Sequence, residues 1–392
     1  MAKNITNLLT WIILPLILGV AAPVLSGCAD DPSPVGSFLL PRGDLVSVDS
    51  VIIIAGKSSG EKAAPFSFTA LRSTFALGKS EGFEAWAFLR FLGFPDSLSN
   101  ATLQSAEIRL QTLYHVGDSL GSVSLSVHRA LGEWNRDSFV FDSLTPGIYD
   151  LSGSNLNLGS FGDNESVLFP LDTAFVREWV RSVSDTSFKN FGVILEPTNS
   201  TVIKGFHSGT SDSVAQRPTL TIRYIMSGSA QVDTLVLSSV LDKFVAGMSD
   251  TTFLSDSTLV PARGGAAYRG VIGFDVSPVP AHAAVHRAFL DLTLDNISSR
   301  RASNRPDSLL ALYGGVLNPI QIGAPISQTG GPVYRFNVTE FVQAMVRGIG
   351  DSNIRLSVFD EENTVGLFMI HGSAAADPAV RPKLTVLYSP TR

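Results

Sequence analysis

The chain has 392 residues, of which 44% are hydrophobic and only 16% are charged, and its formal net charge is −6. This length is sufficient for two domains with ordinary hydrophobic cores. A mildly acidic chain without a Lys- or Arg-rich run argues against nucleic acid or an anionic lipid surface as partner, because both attract clustered positive charge.

The first element is an apolar leader that ends at the only cysteine of the chain. Lys3 precedes an apolar core from Leu8 to Val20, which a proline interrupts and which is short for a membrane span. The string Leu25-Ser26-Gly27-Cys28 resembles the lipobox of bacterial lipoprotein precursors. The alternative is an uncleaved anchor helix with an incidental cysteine. We expect residues 1–27 to be a cleaved signal peptide and Cys28 to carry lipid.

Lipidation of Cys28 predicts a protein of the cell envelope that is held at a membrane through its N-terminus. Several acyl chains on one residue hold a protein firmly. The folded part then contains no thiol, so its stability must come from its cores and not from disulfides. Ala29 stands where some bacteria place an inner-membrane retention Asp, which favours the outer membrane or cell surface. Residues 28–44 are rich in Asp, Pro, Gly and Ser and are expected to form a tether.

The chain beyond the tether shows an all-β pattern. Val46 to Ile54 is a β-branched run, Leu103 to Leu113 alternates between apolar and polar residues, and Val123 to Val127 alternates again. Glycine-containing turns separate these segments. Regularly spaced short strands of this kind predict a sandwich.

One helix stands out in the first half of the chain. Asp172 can cap its N-terminus, and Phe175, Val176, Trp179 and Val180 fall on one apolar stripe. A second helix is expected from Asn337 onward, with an Asn-led capping box completed by Glu340; its apolar stripe would comprise Phe341, Val342, Met345 and Val346.

The same series of segments occurs twice. Val48-Asp49-Ser50-Val51 is echoed by Val232-Asp233-Thr234-Leu235, and the strand beginning Arg217-Pro218 is echoed by the one beginning Arg381-Pro382. Two copies of this length are tandem domains and not a solenoid. We therefore predict two jelly-roll-like β-sandwich modules with one short helix each, at residues 45–226 and 232–389, joined by a linker at 227–231.

The order of these motifs resembles the disaggregatase-related, DNRLRE-type secreted β-sandwich modules. Val127-His128-Arg129-Ala130-Leu131-Gly132-Glu133-Trp134 carries the mid-domain signature in the first copy, and the second copy lacks it. The resemblance covers most of residues 45–389. It implies a jelly-roll-like sandwich of secreted and surface proteins, some of which are grouped with carbohydrate-binding modules.

No residues form a catalytic pattern. Gly56-Lys57-Ser58-Ser59-Gly60 matches the nucleophile-elbow pattern, but no helix can follow it directly because Pro65 disfavours one, so a loop is predicted instead. His282 and His286 lie on an extended segment where they would not converge on a metal. We predict no enzyme activity, no catalytic residue and no metal ligands of this kind.

Two acidic runs contain the oxygen ligands that calcium prefers. They are Asp163-Asn164-Glu165 and Asp360-Glu361-Glu362-Asn363. Solvated turns are the default interpretation and a structural calcium ion is the alternative. No other cofactor is predicted.

The candidate ligand-binding residues are one loop and two histidines. Trp134, Asn135 and Arg136 combine an aromatic face with polar groups, as glycan binding requires, although such a tryptophan also fills a core edge. His207 and His371 lie at equivalent places, ten residues before each Arg-Pro. They either pack beside the last strand or contact a ligand in a groove.

These observations predict a lipid-anchored, non-enzymatic envelope protein whose modules bind an extracellular or envelope polymer, most plausibly carbohydrate. A structural or adhesive surface component without glycan specificity is the alternative. A polysaccharide-degrading enzyme is the third interpretation and the least favoured, because no constellation of acid, base and nucleophile is apparent.

Overall fold

The structure is a computed structural model of the chain. It describes residues 47–62, 73–135, 138–248, 251–266, 268–305, 309–312, 320–328, 331–349, 351–359, 361 and 363–390. Asp49–Arg392 forms one compact unit. The leader, Cys28 and the tether lie outside the described residues. Within the described ranges, no helix has the length and apolarity needed to cross a membrane.

The predicted all-β sandwich fold is confirmed, and the described residues form 21 strands and two short helices. Ten strands make one hydrogen-bonded assembly, which we call sandwich 1. They are β3 (Thr74–Ser80), β4 (Phe83–Phe91), β5 (Ala101–Gly117), β6 (Ser122–Arg129), β7 (Ser154–Ser160), β8 (Ser166–Leu171), β9 (Val193–Pro197), β10 (Val202–His207), β11 (Thr219–Met226) and β12 (Val232–Met248).

Eleven strands make the other assembly, sandwich 2. Nine of them follow sandwich 1 in the chain, and two come from its N-terminal end, before β3. The strands are β1 (Asp49–Ile54), β2 (Lys57–Lys62), β13 (Leu259–Arg263), β14 (Tyr268–Gly273), β15 (Ala284–Thr293), β16 (Leu309–Leu312), β17 (Ile320–Gln328), β18 (Gly331–Asn337), β19 (Asn353–Val358), β20 (Leu367–His371) and β21 (Lys383–Ser389).

The two sandwiches share most of their strand pairs, although β17 pairs with β18 while their equivalents β7 and β8 do not. In sandwich 1, β5 pairs with β11, β10 and β8, and β4 pairs with β3 and β9. In sandwich 2, β15 pairs with β21 and β18 and bridges to β20 at Leu294, while β14 pairs with β13 and β19. The repeat seen in the sequence is therefore a repeat of topology. Strands β3 to β11 form sandwich 1 without its outer strand, and the equivalent strands β13 to β21 form sandwich 2 without its outer strands.

The missing strands are exchanged between the two copies. The first half of β12 pairs with β11 and its second half with β4, so the start of the second copy completes sandwich 1. Strand β1 pairs with β21 and β2 with β14, so the start of the first copy completes sandwich 2. Strands β1 and β2, from the predicted range 45–226, therefore pair within sandwich 2, and β12, from the range 232–389, pairs within sandwich 1. Residues 227–231, the predicted linker, connect β11 to β12 inside sandwich 1.

The exchanged strands occupy their sites in one common register. Val51 lies opposite Val386, and its sequence equivalent Leu235 lies opposite Ile222. The next backbone contacts also agree, because the amide N of Ala55 donates to Pro382 O at 3.0 Å and that of Ser239 donates to Pro218 O at 2.9 Å. The sequence echo between the two copies is therefore the signature of two interchangeable outer strands.

The glycine- and serine-rich segment 56–60 is a strand and not the predicted loop. Residues 57–62 pair with β14 over six positions, from Lys57 opposite Gly273 to Lys62 opposite Tyr268. The Ser58 side chain is 8% exposed, and its Oγ donates to Ser257 O at 3.1 Å. Ser58 is thus a structural hydroxyl inside sandwich 2. The segment has little intrinsic strand preference, and its partner strand imposes the extended conformation.

Alternating apolar side chains build the two cores. Along β5 the buried residues are Leu103 and then every second residue from Ala106 to Val116. A bulge opposite Arg223/Tyr224 accounts for the extra residue after Leu103. The core of sandwich 1 continues into Tyr268 and Val365 of sandwich 2. The two sandwiches therefore share buried apolar surface where they meet.

The first helix, α1 (Thr173–Ser184), begins where the sequence predicts. Asp172 is its N-cap, with Oδ1 accepting a hydrogen bond from the Ala174 amide at 2.8 Å. Val176, Trp179 and Val180 are buried against sandwich 1. The apolar stripe and its cap are confirmed.

Removal of this cap should weaken sandwich 1. Asp172→Ala is expected to lower the free energy of unfolding by about 1 kcal/mol, because a helix-end amide loses its acceptor. Asp172→Asn is the matched control, since asparagine caps about as well as aspartate. Urea unfolding followed by tryptophan fluorescence measures both. Equal losses in the two variants would contradict a capping role.

The second helix, α2 (Thr339–Val346), is present, but its predicted capping box is wrong. The N-cap is Val338, which has no side-chain acceptor, and Asn337 Oδ1 instead accepts from the Thr339 amide at 3.2 Å and from Thr339 Oγ1 at 2.6 Å. Val338 is fully buried, so packing and not capping places the start of this helix.

Candidate functional site

A cleft of about 1200 Å³ lies where the two sandwiches meet. Sandwich 1 contributes the β3–β4 turn, the end of β5 and the loop between β9 and β10, and sandwich 2 contributes the segment after β15. The lining residues are Lys79, Ser80, Glu81, Gly82, His115, Gly117, Asp118, Thr198, Asn199, Ser200, Thr201, Asn296, Ser299, Arg300, Arg301, Ala302 and Ser303.

One wall is fixed by a tight turn and an ion pair. Glu81 and Gly82 both have positive φ, 52° and 77°, which is the backbone of a two-residue hairpin turn. This turn carries the Glu81 carboxylate to Arg300, whose Nε and Nη2 lie 3.0 and 2.7 Å from Oε1. Arg300 also donates to the carbonyls of Ile297 and Ser299, at 2.6 and 3.0 Å. Arg300 therefore ties the two sandwiches together at the rim.

Two residues that line the cleft, His115 and Ser303, form a polar cluster with Asp163, which we call the floor cluster. Asp163 Oδ2 lies 3.0 Å from His115 Nδ1, and Ser303 Oγ donates to the same carboxylate oxygen at 2.6 Å. Ser303 Oγ is itself 3.0 Å from His115 Nδ1. The main chains join as well, since the Ser303 amide donates to His115 O at 2.9 Å and the His115 amide donates to Ser303 Oγ at 2.9 Å.

This Ser, His and Asp set does not have the arrangement of a hydrolytic triad. A triad places the serine and the carboxylate on opposite nitrogens of the imidazole, so that the ring can take the serine proton. Here Ser303 and Asp163 both meet Nδ1 of His115, and Ser303 Oγ lies within donating distance of the carboxylate. The cluster holds the two sandwiches together and presents polar atoms to the cleft.

A buried lysine lies directly behind the floor. Lys204 on β10 pairs with His115 on β5 and has no exposed surface. Its Nζ donates to Phe161 O at 2.7 Å and lies 5.3 Å from the centre of the Phe161 ring. Burial lowers the Lys204 pKa, and the nearby carboxylates of Asp163, Glu165 and Asp118 oppose that shift. This cation balances the acidic side chains around the cleft.

The side chains of the cleft favour hydrogen bonding over stacking. Hydroxyl and amide groups line it on both sides, with charged groups at the rim, and none of the described residues that line it is Phe, Tyr or Trp. A sugar or other polyhydroxylated ligand can exchange its hydrogen bonds with water for bonds to such groups. An apolar ligand would leave them unpaired.

Of the predicted ligand loop, the described residues Trp134 and Asn135 do not line this cleft. Trp134 is 2% exposed and packs against Phe88 at 5.3 Å, and its Nε1 donates to Phe191 O at 2.7 Å. The structure thus places it as the core alternative describes, with no indole face open to a sugar. Asn135 is exposed and its Oδ1 accepts from the Ser138 amide at 3.3 Å. Arg136 lies outside the described residues.

The two predicted histidines occupy equivalent ends of equivalent strands. His207 ends β10 opposite Thr74, and His371 ends β20 opposite Leu259. Both are half-buried, and neither lines the cleft. His207 Nδ1 lies 3.2 Å from Ser211 Oγ, while its buried Nε2 has no hydrogen-bond partner among the residues that the structure describes.

His207 should make the stability of the chain depend on pH. Burial, and secondly the Arg305 guanidinium, lower its pKa below the ordinary value. The unfolded chain then binds the extra proton more readily, so the unfolding free energy is expected to fall as pH drops through about 6.5. His207→Gln should fall less between pH 7.5 and 5.5 in urea unfolding. An identical fall would contradict a neutral, buried imidazole.

The described carboxylates of the two acidic runs have hydrogen-bond or ion-pair partners within the protein. Asp163 belongs to the floor cluster, Glu165 Oε2 accepts from the Gly162 amide at 2.8 Å, and Glu361 pairs with Arg269 at 3.0 Å. Asp360 and Glu362 lie outside the described residues. Across the part of the chain that the structure describes, no three acidic, His or Cys side chains gather as a metal site would require.

The comparisons with known proteins give no family. No family model matches the chain, and no curated protein matches it. Among solved structures, one of the Macrobrachium rosenbergii nodavirus is similar at 12% identity over 89% of this chain and 91% of that one, with a TM-score of 0.13. A D431N mutant VP2 protein of infectious bursal disease virus matches at 13% identity over 92% and 80%, with a TM-score of 0.11. Scores this low bear on neither fold nor function.

Proposed function

We propose that the chain is a lipid-anchored, non-enzymatic envelope protein whose inter-sandwich cleft binds a polyhydroxylated polymer, most plausibly a carbohydrate. The observation that carries the proposal is the cleft itself, about 1200 Å³ in volume and lined by hydroxyl, amide and charged side chains from both sandwiches. Such a site recognises a ligand through many hydrogen bonds. The resemblance to surface β-sandwich modules supports the same class of ligand.

The floor cluster supports binding rather than catalysis. The Ser303 hydroxyl and the Asp163 carboxylate meet the same nitrogen of His115, Nδ1. Asp163 therefore does not orient the ring through one nitrogen while the other nitrogen accepts the Ser303 proton. Nucleophilic catalysis requires a base that is itself oriented by a third group. The cluster instead uses its hydrogen bonds within the protein.

The anchor is carried by the leader and Cys28. Cys28→Ala is expected to move the protein from the membrane fraction to the soluble fraction of the cell envelope, because the acylated thiol is lost. Fractionation with labelled fatty acid measures both effects. Continued acylation of the variant, or unchanged retention in the membrane, would contradict lipid attachment at this residue.

Retention on immobilised polysaccharides tests the cleft. The soluble chain Ala29–Arg392 contains the whole compact unit from Asp49 onward. Asn199→Ala combined with Asn296→Ala removes one exposed amide from each side of the cleft and is expected to reduce retention at least tenfold, equivalent to about 1.4 kcal/mol. Asn155→Ala, on the exposed face of β7, is the control for an amide outside the cleft.

Two outcomes would overturn this proposal. Failure of the parent chain to bind any polysaccharide in a broad panel would reject glycan binding. Equal retention of the parent and the cleft variant would place the ligand elsewhere, and a loss in Asn135→Ala alone would return it to the loop predicted from the sequence.

A structural or adhesive role without glycan specificity is the second candidate, and the strand exchange favours it. Two separate connections cross between the sandwiches, one before β3 and one after β12. Pulling the two copies of the repeat fully apart must therefore strip the exchanged strands from their acceptors, which suits a protein under load. A parent chain that binds no sugar would leave this candidate standing.

A further inference from the structure

The N-terminal strands have an unusual attachment. We call residues 49–62 the donor segment. The next strand in the chain, β3, belongs to sandwich 1, yet the donor segment pairs with β21 and β14 of sandwich 2. A segment that is covalently joined to one body and hydrogen-bonded to another has the topology of a swapped element. Such an element makes the same contacts whichever chain supplies it.

The donor segment lies at the edge of its acceptor. Among the described strands, β1 has a single neighbour, β21, and β2 pairs with β14 alone, over six residue positions each. It covers the core of sandwich 2 with Ile53 and Ala55, which are 6% exposed. Its release therefore opens an apolar slot along β21 and β14 and breaks no other strand pair.

The side-chain contacts of the segment also point to sandwich 2. Ser58 Oγ accepts from the Ser373 amide at 2.8 Å, and Arg355 Nε donates to Glu61 Oε1 at 2.9 Å. Toward sandwich 1, Lys62 pairs with Asp142 at 2.8 Å, and both side chains are about half exposed or more, at 47% and 69%. Exposed pairs of this kind stabilise weakly. The donor segment is thus held mainly by sandwich 2 and only weakly by sandwich 1 of its own chain. These contacts would be the same if sandwich 2 belonged to a second chain.

We propose that the donor segment of one copy of this chain also docks into sandwich 2 of a second copy, which makes a strand-exchanged dimer. The acceptor slot is the same, the register is the one seen within the chain, and reciprocal donation closes the dimer. The equivalent slot of sandwich 1 already accepts a strand from outside its own repeat, because β12, which begins the second repeat, pairs there with β11 and β4.

Two chains held at one membrane would favour this exchange. The point rests on the proposed lipidation of Cys28, because anchoring raises the local concentration of donor and slot. A dimer would carry two clefts and so increase avidity for a polymer without any new contact. The exchange itself is independent of the anchor and can be measured in solution.

Two single-cysteine chains report the exchange. The chain Ala29–Arg392 has no cysteine, so Ser50→Cys and Leu387→Cys, carried on separate chains, provide its only thiols. Ser50 lies opposite Leu387, and both are exposed. Paired strand positions are about 4.5–5.5 Å apart between Cα atoms, within disulfide reach. A covalent dimer then forms only where the strand of one chain occupies the slot of the other.

The two chains are unfolded and refolded together, then oxidised, over a hundredfold range of concentration. We expect the fraction of disulfide-linked dimer to rise with concentration. The control pairs Leu387→Cys with Ser187→Cys, an exposed position outside the paired strands. The dimer fraction of the test pair should exceed that of the control at least fivefold. A single chain carrying both Ser50→Cys and Leu387→Cys, oxidised before mixing, should stay monomeric. A co-refolded dimer fraction at the Ser187→Cys baseline, at every concentration, would overturn the proposal.

Discussion

Ile53→Ala is expected to lower the free energy of unfolding of sandwich 2 by about 2–5 kcal/mol, the usual cost of truncating a buried isoleucine. Ile53 is 6% exposed and packs in the core of sandwich 2, although β3, the strand that follows the donor segment in the chain, belongs to sandwich 1. Its neighbour Ile52 is 62% exposed on the same strand. Ile52→Ala removes the same atoms and should change stability by no more than about 0.5 kcal/mol.

Hydrogen exchange locates the damage. The tryptophans of the described chain, Trp86, Trp134 and Trp179, all lie in sandwich 1, so their fluorescence reports that sandwich. Ile53→Ala should speed exchange in β14, β15 and β21 more than in β5, β10 and β11. A loss of protection confined to sandwich 1 would show that the segment folds back on its own copy.

Trp134→Ala is expected to cost about 3–5 kcal/mol, because it empties a large buried volume. The cost should appear as a lower unfolding midpoint in urea by tryptophan fluorescence and circular dichroism. Asn135→Ala alters the adjacent exposed residue and should stay within about 0.5 kcal/mol of the parent. Trp134→Phe keeps an aromatic ring but loses the bond to Phe191 O, and should fall between the two.

The opposite result would revive the ligand interpretation of Trp134. A variant that unfolds at the parent midpoint and yet loses polysaccharide retention would show that the indole contacts ligand in solution. The buried position and the satisfied Nε1 make stability the expected loss.

Local features of the fold could be predicted from the sequence because they depend on neighbouring residues. The cap at Asp172 and the stripe of Val176, Trp179 and Val180 are examples, since helix capping and periodicity act within a few positions. The capping box at Asn337 failed because the burial of Val338 determined the helix start instead. Tertiary packing there outweighed a short-range pattern.

The strand exchange could not be predicted from the sequence. The outer strands beginning at Asp49 and Val232 carry the same pattern, so either fits either acceptor, and the pattern cannot say which acceptor it meets. Strand β2 was missed because glycine, serine and lysine have low strand propensity, and only the distant β14 makes the segment extended.

The cleft was missed for a similar reason. Its floor joins His115, Asp163 and Ser303, which are far apart in the chain and form no motif. The one usable signal was Lys204, a charged residue within the otherwise apolar run of β10. A lysine at a buried strand position needs carbonyl or carboxylate partners, so it indicates a polar site nearby.

The strand exchange and the polar cleft have one structural origin. The exchange joins the two copies into one compact unit, and the cleft is the polar part of the contact between the sandwiches. The arrangement explains why equivalent residues such as His207 and His371 lie outside it, since the cleft uses different loops from each copy. A ligand in the cleft would touch both sandwiches.

The most direct test of the account is intrachain disulfide formation in the chain Ala29–Arg392. One variant carries Ser50→Cys and Leu387→Cys, and the other carries Ser50→Cys and Arg223→Cys, where Arg223 is the equivalent partner in sandwich 1 and faces Thr234. At low concentration, the first pair should oxidise to a monomeric, cross-linked chain and the second should keep its thiols. Cross-linking of Ser50→Cys to Arg223→Cys, with free thiols in the first variant, would contradict the exchange.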